Sequence, residues 1–291
     1  MHRRKISLPQ RLWAMLISLV LLASSPGRAL VYQAPSQAPS DWNLRRLMRL
    51  TVFQSGESDC MLLEAGGECM MIDGGADPWR KKLKEALDKR NIHHFKYLFN
   101  THPHDDHISG LYRLMQYGFT ADALAGMFPE NFPYKLHRRA LKQAKKSGIP
   151  YRQCTNGDTL TLGEATLSLY RWEKGKTIND LSAMVRVTFG NTSLLLCGDM
   201  TGAAQKHLLS TMEKDELRAD IVKAPHHGIT PFVKEFLDAV NPDVLFVTNK
   251  KSRAAKLDAQ AGYRKLPVYY AANGAIVIET DGTDWYIRQE D

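Results

Sequence analysis

Cysteine is scarce in this chain, and the few that occur are irregularly spaced. The 291 residues include four cysteines, Cys60, Cys69, Cys154 and Cys197. Their spacings fit no zinc ribbon, which excludes a structural zinc site built from thiolates. Cys60 and Cys69 could be neighbours across a hairpin, and export would permit a disulfide between them. The sequence leaves the pairing of the cysteines open.

Long apolar runs are also rare. The run from Leu12 to Ala23 has about twelve residues, whereas a membrane-spanning helix needs about twenty. Basic residues precede it, and Gly27-Arg28-Ala29 places small residues at the −3 and −1 positions of a cleavage site. This pattern predicts a secretory signal peptide over residues 1–29 and an exported protein, either secreted, on the cell surface or periplasmic, with no stable membrane span after cleavage. An uncleaved N-terminal anchor is the alternative.

A strong excess of one charge is absent once that segment is set aside. The whole chain has 39 basic and 31 acidic residues, a net charge of +8. Residues 1–29 hold five of the basic residues and none of the acidic ones, which leaves 34 against 31 and a net charge of +3. Basic residues remain concentrated locally, at Lys135, Arg138, Arg139, Lys142, Lys145 and Lys146, and at Lys250, Lys251, Arg253 and Lys256. Such runs are most often solvated faces, although they can also hold a polyanion.

The middle of the chain contains nothing that looks like a linker. Residues 30–46, with Pro35 and Pro39, have the composition of a flexible leader. We therefore predict one domain over residues 47–291. Hydrophobic residues make up 44% of the sequence, which is enough to bury a large core.

Apolar patterns with strand and helix periods alternate along this domain. Strands are predicted over residues 48–53, 60–64, 68–72, 97–100, 159–162, 165–170, 183–189, 193–197, 221–224, 244–248, 268–271 and 275–279. Helices are predicted over residues 79–90, 108–117, 133–147, 202–212 and 231–239. Clustered strands with helices between them predict an α/β (α+β) fold, namely an αββα sandwich of two mixed β-sheets flanked by helices.

The densest group of candidate ligands is an H-x-H-x-D-H string at residues 102–107. Extended backbone places residues i and i+2 on the same side, so His102 and His104 can grip one metal ion. If the chain then turns into a helix, Asp106 and His107 can face a second ion. Packing these groups in a core without a metal would leave several of them unpaired, which favours a metal site.

The second half of the chain offers the remaining ligands. Asp199 could bridge the two ions, and a histidine of the pair His226-His227 could complete the second site. We expect His226 to be the ligand because it comes first after its strand, which leaves His227 to contact substrate or to donate a proton. Nitrogen and oxygen ligands suit two divalent ions, Zn²⁺ foremost, with Mn²⁺ or Fe as alternatives.

Six segments in this order resemble the metallo-β-lactamase superfamily, and within it the hydrolase domain of ComEC-type DNA-uptake proteins. They are Phe53-Gln54-Ser55-Gly56-Glu57-Ser58-Asp59, Met71-Ile72-Asp73-Gly74-Gly75, residues 101–110 with the ligand string, Asn179-Asp180-Leu181-Ser182, residues 194–199 ending in Gly198-Asp199, and Lys223-Ala224-Pro225-His226-His227-Gly228. The resemblance implies a metal-dependent hydrolase, in which a residue or water near 179–180 would complete the first ion. The chain departs from the subgroup at Ile229-Thr230, where a serine is usual, and it has no membrane channel.

Two ions about 3.5–4 Å apart would activate a bridging water, which Asp106 could orient. Asp73 could accept the free ring N–H of a ligand histidine, or it could be a plain turn residue. We therefore predict an exported metal-dependent phosphodiesterase or nuclease with Asp106 and His227 as catalytic residues. Its substrate would be a phosphodiester-containing polymer, such as nucleic acid or a wall polymer, or a small molecule. The alternatives are a β-lactam or lactone hydrolase and a non-catalytic protein that binds DNA or a wall polymer.

Overall fold

The computed structural model describes residues 29–34 and 36–290. Its strands are β1 (Val31–Tyr32), β2 (Met48–Val52), β3 (Cys60–Ala65), β4 (Glu68–Gly74), β5 (His94–Asn100), β6 (Thr120–Gly126), β7 (Tyr151–Gln153), β8 (Thr159–Leu162), β9 (Ala165–Tyr170), β10 (Met184–Phe189), β11 (Thr192–Leu196), β12 (Ile221–Lys223), β13 (Val244–Val247), β14 (Val268–Tyr270), β15 (Ala275–Thr280) and β16 (Trp285–Glu290). Its α-helices are α1 (Arg80–Lys89), α2 (Asp105–Gln116), α3 (Lys135–Lys146), α4 (Gly202–Thr211), α5 (Lys214–Leu217), α6 (Lys234–Val240) and α7 (Ala255–Tyr263).

The strands form two mixed sheets. The nine-stranded sheet has the order β1-β16-β15-β2-β3-β4-β5-β6-β7, and the seven-stranded sheet has the order β14-β13-β12-β11-β10-β9-β8. Strands β4 to β7 are parallel to one another in the first sheet, as are β11 to β14 in the second. The remaining pairs are antiparallel except for β1 with β16.

Three apolar clusters separate four layers. The inner faces of the two sheets pack against each other through residues such as Leu50, Phe99 and Val185. Helices α1, α2 and α3 cover the outer face of the nine-stranded sheet, and α4, α6 and α7 cover that of the seven-stranded sheet. This arrangement confirms the predicted αββα sandwich.

Several elements have weak sequence signals. Strand β6 reads Thr-Ala-Asp-Ala-Leu-Ala-Gly, and its small residues have little β propensity. Parallel pairing with β5 on one side and β7 on the other makes it a strand. Helix α7 and strand β16 were likewise not predicted, because the first lacks a clear apolar stripe and the second ends in polar residues.

Part of the segment predicted as a flexible leader packs on the domain. Val31 and Tyr32 pair in parallel with Trp285 and Tyr286. Trp42 is buried, and its Nε1 donates to Oε2 of Glu279 at 3.2 Å. The polar, proline-containing composition of this segment predicts flexibility. Composition does not indicate that one residue of the segment, Trp42, is buried against the domain. Of the predicted signal peptide, residues 1–28 lie outside the described residues.

Two further expectations concern membranes and thiols. Among the described residues, none of the helices has the length and apolar character required to cross a bilayer. All four cysteines carry free thiols. Across the hairpin Cys69 faces Glu64, whereas Cys60 faces Gly74, so this register does not pair the two cysteines.

Strand β4 and helix α2 approach each other closely at two glycines. A Cβ on Gly110 would lie 1.8 Å from the carbonyl oxygen of Gly74, and a Cβ on Gly74 would lie 2.3 Å from the backbone nitrogen of Leu111. Only glycine fits at such a contact. The contact holds α2, whose first turn carries Asp106 and His107, against the end of β4.

Candidate metal centre

The candidate ligands come from loops that follow parallel strands. His102 lies just after β5 and Asp199 just after β11, while His227 follows β12. The loops are joined by backbone hydrogen bonds, from Ala183 N to Thr101 O and from His226 N to Gly198 O, both at 3.0 Å. β5 belongs to the nine-stranded sheet, and β11 and β12 belong to the seven-stranded sheet. The carboxyl ends of these parallel strands lie at the same end of the sandwich, so side chains from both halves of the chain converge there.

Histidines and aspartates form two groups in which the ligand atoms lie within 4.8 Å of one another. The first group contains His102, His104 and Asp199, and the second contains Asp59, His107, Asp199 and His227. Asp199 belongs to both groups, which is the arrangement expected of a carboxylate shared by two ions. The assignment of these side chains as ligands stays a prediction.

The first group is built on the start of α2. Nε2 of His102 lies 3.0 Å from Nδ1 of His104 and 3.6 Å from Oδ2 of Asp199. On the other side of the His102 ring, Nδ1 lies 3.4 Å from the hydroxyl of Ser182. Burial, with the neighbouring His107, holds the pKa of His102 well below its ordinary value, so the ring is neutral and can offer a lone pair to a metal.

In the second group, His107 and His227 face different oxygens of the shared carboxylate. Nε2 of His107 lies 3.2 Å from Oδ1 of Asp199, and Nε2 of His227 lies 3.5 Å from Oδ2 of Asp199. Asp106 borders both rings, with Oδ2 3.1 Å from Nε2 of His227 and Oδ1 3.9 Å from Nε2 of His107. Asp106 thus borders this group, and its assignment as a ligand stays a prediction.

The donor set fits a cation. Nε2 of His107 and Oδ1 of Asp199 are buried and have no hydrogen-bond partner among the described residues. Burial lowers the pKa of His107, but Asp199 and Asp73 outweigh it and hold the pKa well above its ordinary value. Burial also lowers the pKa of His227, but Asp199 and Asp59 outweigh this effect and raise the pKa to about 10. Positive charge is therefore stabilised at this point of the structure, as a metal site requires.

Asp73 lies behind the second group, at the end of β4. Its Oδ2 is 2.7 Å from Nδ1 of His107. The same carboxylate accepts hydrogen bonds from the backbone and hydroxyl of Thr101 and from the amide of Asn100. With its Nδ1 bound to a carboxylate, His107 presents Nε2 to the site, which is the geometry of an aspartate that orients a ligand histidine.

Asp59 lies at the site although no role was predicted for it from the sequence. Its Oδ1 lies 3.1 Å from Nδ1 of His227 and accepts a hydrogen bond from Thr248, and its Oδ2 pairs with Nζ of Lys223 at 2.6 Å. Burial raises the pKa of Asp59, but Lys223 and His227 outweigh it and hold the pKa far below its ordinary value. Asp59 thus orients the ring of His227 through its Nδ1, as Asp73 orients the ring of His107. The sequence signal that could have indicated this role is the position of Asp59 directly before the apolar strand β3.

The histidine pair is turned in the opposite sense to the one predicted. The side chain of His227 is 1% exposed, and that of His226 is 31% exposed. Both residues have left-handed backbone, with φ of 49° at His226 and 51° at His227, which turns the second ring inward. Nδ1 of His226 lies 3.1 Å from the hydroxyl of Thr230, and its Nε2 lies 3.8 Å from Asp199. The geometry therefore favours His227 as the ligand and His226 as the group at the mouth of the site.

Asp180, in the loop predicted to complete the first ion, is not a member of the first group. The carboxylate of Asp180 accepts hydrogen bonds from the backbone of Lys176 and Thr177 and from the hydroxyl of Thr201, so it organises the loop itself. Oδ1 of Asn179 is buried without a hydrogen-bond partner. The first group therefore has one ligand fewer than the second.

A family model of the metallo-beta-lactamase superfamily matches residues 55–248. That range contains every candidate ligand and both orienting aspartates. No curated protein sequence matches the chain.

Solved structures share the fold at low sequence identity. The metallo-beta-lactamase fold protein YhfI from Bacillus subtilis is 14% identical, with a TM-score of 0.56, and the match covers 81% of this chain and 100% of that one. CmlA, a diiron beta-hydroxylase from Streptomyces venezuelae, is 13% identical, with a TM-score of 0.52, and the match covers 78% of this chain and 52% of CmlA. At such identities the likeness concerns the fold alone.

Proposed function

The chain belongs to the metallo-beta-lactamase superfamily, and we propose that it is a metal-dependent hydrolase of phosphodiesters. One observation carries this proposal, namely the two groups of ligands that share the carboxylate of Asp199. A shared carboxylate between two ion sites is suited to phosphoryl chemistry, in which both the attacking and the leaving oxygen need stabilisation.

The contacts in the site support one set of ligands for each ion. His102, His104 and Asp199 would hold one ion, and the second would be held by Asp106, His107, Asp199 and His227. Two divalent ions bound there supply Lewis acidity, which lowers the pKa of a water and offsets charge on phosphoryl oxygens. All donors are nitrogen or oxygen, so Zn²⁺, Mn²⁺ and Fe all suit the site.

Further roles at the site concern the attacking water, the leaving oxygen and the orientation of the ligand rings. Asp106 is 28% exposed in its side chain, so one of its oxygens is within reach of solvent and can orient a water for attack. His226 stands at the open side, where burial, together with His227, keeps its pKa below its ordinary value. The ring is therefore neutral and can donate a hydrogen bond to the leaving oxygen through its N–H. Asp59 and Asp73 fix the rings of His227 and His107.

A basic helix beside the site supports a polyanionic substrate. Helix α3 exposes Lys135, Arg138, Lys142 and Lys145, which recur at the spacing of one helix face. Tyr134, the residue before this helix, has its ring 6.0 Å from that of His104. A nucleic acid or wall polymer lying along α3 would therefore pass the first ligand group.

Export is part of the proposal and rests on residues 1–29 alone. A basic start, an apolar run and small residues before Ala29 are the parts of a secretory signal. Protein recovered from outside the cytoplasm should begin near residue 30, as read by N-terminal sequencing. Recovery of the intact chain from the cytoplasm alone would contradict export.

Hydrolysis by the purified protein with Zn²⁺ or Mn²⁺ tests the central proposal. The substrates are bis-(p-nitrophenyl) phosphate, single- and double-stranded DNA, and nitrocefin. His102→Ala should abolish cleavage, while His93→Ala, at an exposed histidine before β5, should leave it unchanged. Metal-dependent cleavage of the phosphodiesters supports the proposal. Cleavage of nitrocefin alone would assign the protein to β-lactam hydrolysis instead, and polymer binding without cleavage would make it a binding protein.

A further inference from the structure

Arg171 is a partly buried arginine for which the fold provides no acceptor. Its Nε is buried and has no hydrogen-bond partner, and its guanidinium forms no ion pair among the described residues. Burial lowers the pKa of Arg171, and the exposed Glu173 offsets only part of this effect. An unpaired buried donor costs free energy, so a native structure that keeps one calls for an explanation.

The side chain is held in place despite having no acceptor. Its Cζ lies 5.2 Å from the centre of the Phe128 ring. Phe128 is buried, and its carbonyl accepts a hydrogen bond from the hydroxyl of Tyr151 at 2.6 Å. The backbone N–H of Arg171 donates to Oδ1 of Asn156 at 2.7 Å. A guanidinium stacked on an aromatic ring is held in one orientation, so its planar set of N–H donors is ready to bind an anion.

The stack lies at the edge of the sandwich that carries the ligands. Arg171 directly follows Tyr170, whose register partner is Met184, and the preceding Ala183 donates its N–H to the carbonyl of Thr101. On the other side, Phe128 comes two residues after Gly126, whose register partner is Asn100. Both halves of the stack therefore lie at the end of the two sheets from which the loop with His102 emerges.

We infer that Arg171 binds a phosphate oxygen of the substrate beside the first ligand group. A phosphate is the ligand class that matches an always-charged, planar donor with free N–H groups. This inference rests on the proposed phosphodiesterase function, because that function supplies a phosphate at this edge. It gives the site a substrate-binding residue that the ligand set itself lacks.

Binding of inorganic phosphate to the metal-loaded protein, followed by isothermal titration calorimetry, tests the inference without catalysis. Arg171→Gln should weaken phosphate binding by about 10- to 100-fold, the range for losing one charged hydrogen-bond donor. The metal content should stay that of the wild type. With bis-(p-nitrophenyl) phosphate, the same substitution should raise KM by about tenfold and change kcat little.

Arg186→Gln is the matched control. Arg186 is also partly buried, and burial likewise lowers its pKa, but its Nε has an acceptor in the carbonyl of Arg218 at 3.2 Å. Phosphate affinity should be unchanged in this variant. If Arg171→Gln fails to fold, Arg171→Lys keeps the charge but loses the planar fork, and it should still weaken phosphate binding.

The two proposals fail in different ways. If phosphodiesters are cleaved but Arg171→Gln binds phosphate as the wild type does, the inference about Arg171 is overturned and the function stands. If no phosphodiester is cleaved but phosphate binding depends on Arg171, the function fails and the anion site stands. A wild-type protein with no measurable affinity for phosphate would also overturn the inference.

Discussion

Nε2 of His107 and Oδ1 of Asp199 face each other at 3.2 Å, and both atoms are buried without a hydrogen-bond partner in the described part of the chain. A bound cation would satisfy both atoms, which otherwise carry an uncompensated cost of burial. The second oxygen of Asp199 faces His102 at 3.6 Å. One carboxylate is therefore the common element of both candidate metal sites.

Asp73→Asn should weaken metal binding while leaving the fold in place. Asparagine tolerates the left-handed backbone at this position, where φ is 55°, but it removes the carboxylate that pairs with Nδ1 of His107. The loss should be about 10- to 100-fold in metal affinity, measured by competition with a chelator. Asp88→Asn, on the outer side of α1, should have no effect. Equal affinity in both variants would show that Asp73 is a plain turn residue.

Asp59→Asn should destabilise the protein strongly because it leaves a buried lysine without its counter-charge. Asp59 and Lys223 are both 0% exposed and lie 2.6 Å apart. Removing one partner of such a pair costs about 3–5 kcal/mol in the free energy of unfolding, which urea denaturation measures. The double variant Asp59→Asn with Lys223→Met should recover part of this loss. If the double variant loses as much stability as the two single variants do in sum, the two residues are not coupled.

Gly110→Ala tests the close contact that sets the position of α2. The added Cβ would lie 1.8 Å from the carbonyl oxygen of Gly74, so helix and strand must separate. We expect a loss of about 3 kcal/mol in the free energy of unfolding, together with weaker metal binding. Gly262→Ala in α7 meets no atom within 4 Å and should keep or raise stability by up to about 1 kcal/mol. Similar stability of the two variants would exclude the contact as a constraint.

Glu279 should make stability depend on pH in the acidic range. Burial raises its pKa, but hydrogen bonds from Arg288 and Arg49 outweigh it, so the folded-state pKa lies below the ordinary value of 4.5. The unfolded chain then binds more protons, so this contribution is complete above pH 4.5 and is lost as the pH falls through the folded-state pKa. Glu279→Gln should lower stability at pH 7 and flatten its decline below pH 4.5. The free energy of unfolding is measured by urea denaturation at pH 3–7. If Glu279→Gln shows the same dependence of this free energy on pH as the wild type, this role is contradicted.

Much of the fold was predictable from periodicity. The apolar runs that became β3, β4, β11 and β13 lie in both sheets and are buried nearly throughout, so the sequence reports them directly. Strand β6 was not predictable, because its small residues become a strand only between two neighbours. The order of the strands within the sheets was not predictable, because it depends on pairing between segments that are distant in sequence.

The clustering of the candidate ligands was predictable where they are close in sequence. His102, His104, Asp106 and His107 fall within one strand-to-helix turn, so their spacing alone places them together. The orientation of the His226 and His227 side chains depends on left-handed backbone at both residues. No local sequence pattern predicts this backbone conformation. The role of Asp59 depends on Lys223 and His227, which come more than 160 positions later in the sequence.

The metal content of the purified protein tests the central claim most directly, by elemental analysis after dialysis against a defined divalent ion. The wild type should hold about two ions per chain, and Asp199→Ala should lose both, because its carboxylate belongs to both groups. Asp238→Ala, a carboxylate on α6 that pairs with Lys234 and Arg264, should keep both ions. A wild type that binds no ion, or an Asp199→Ala variant that keeps two, would contradict a shared two-metal site.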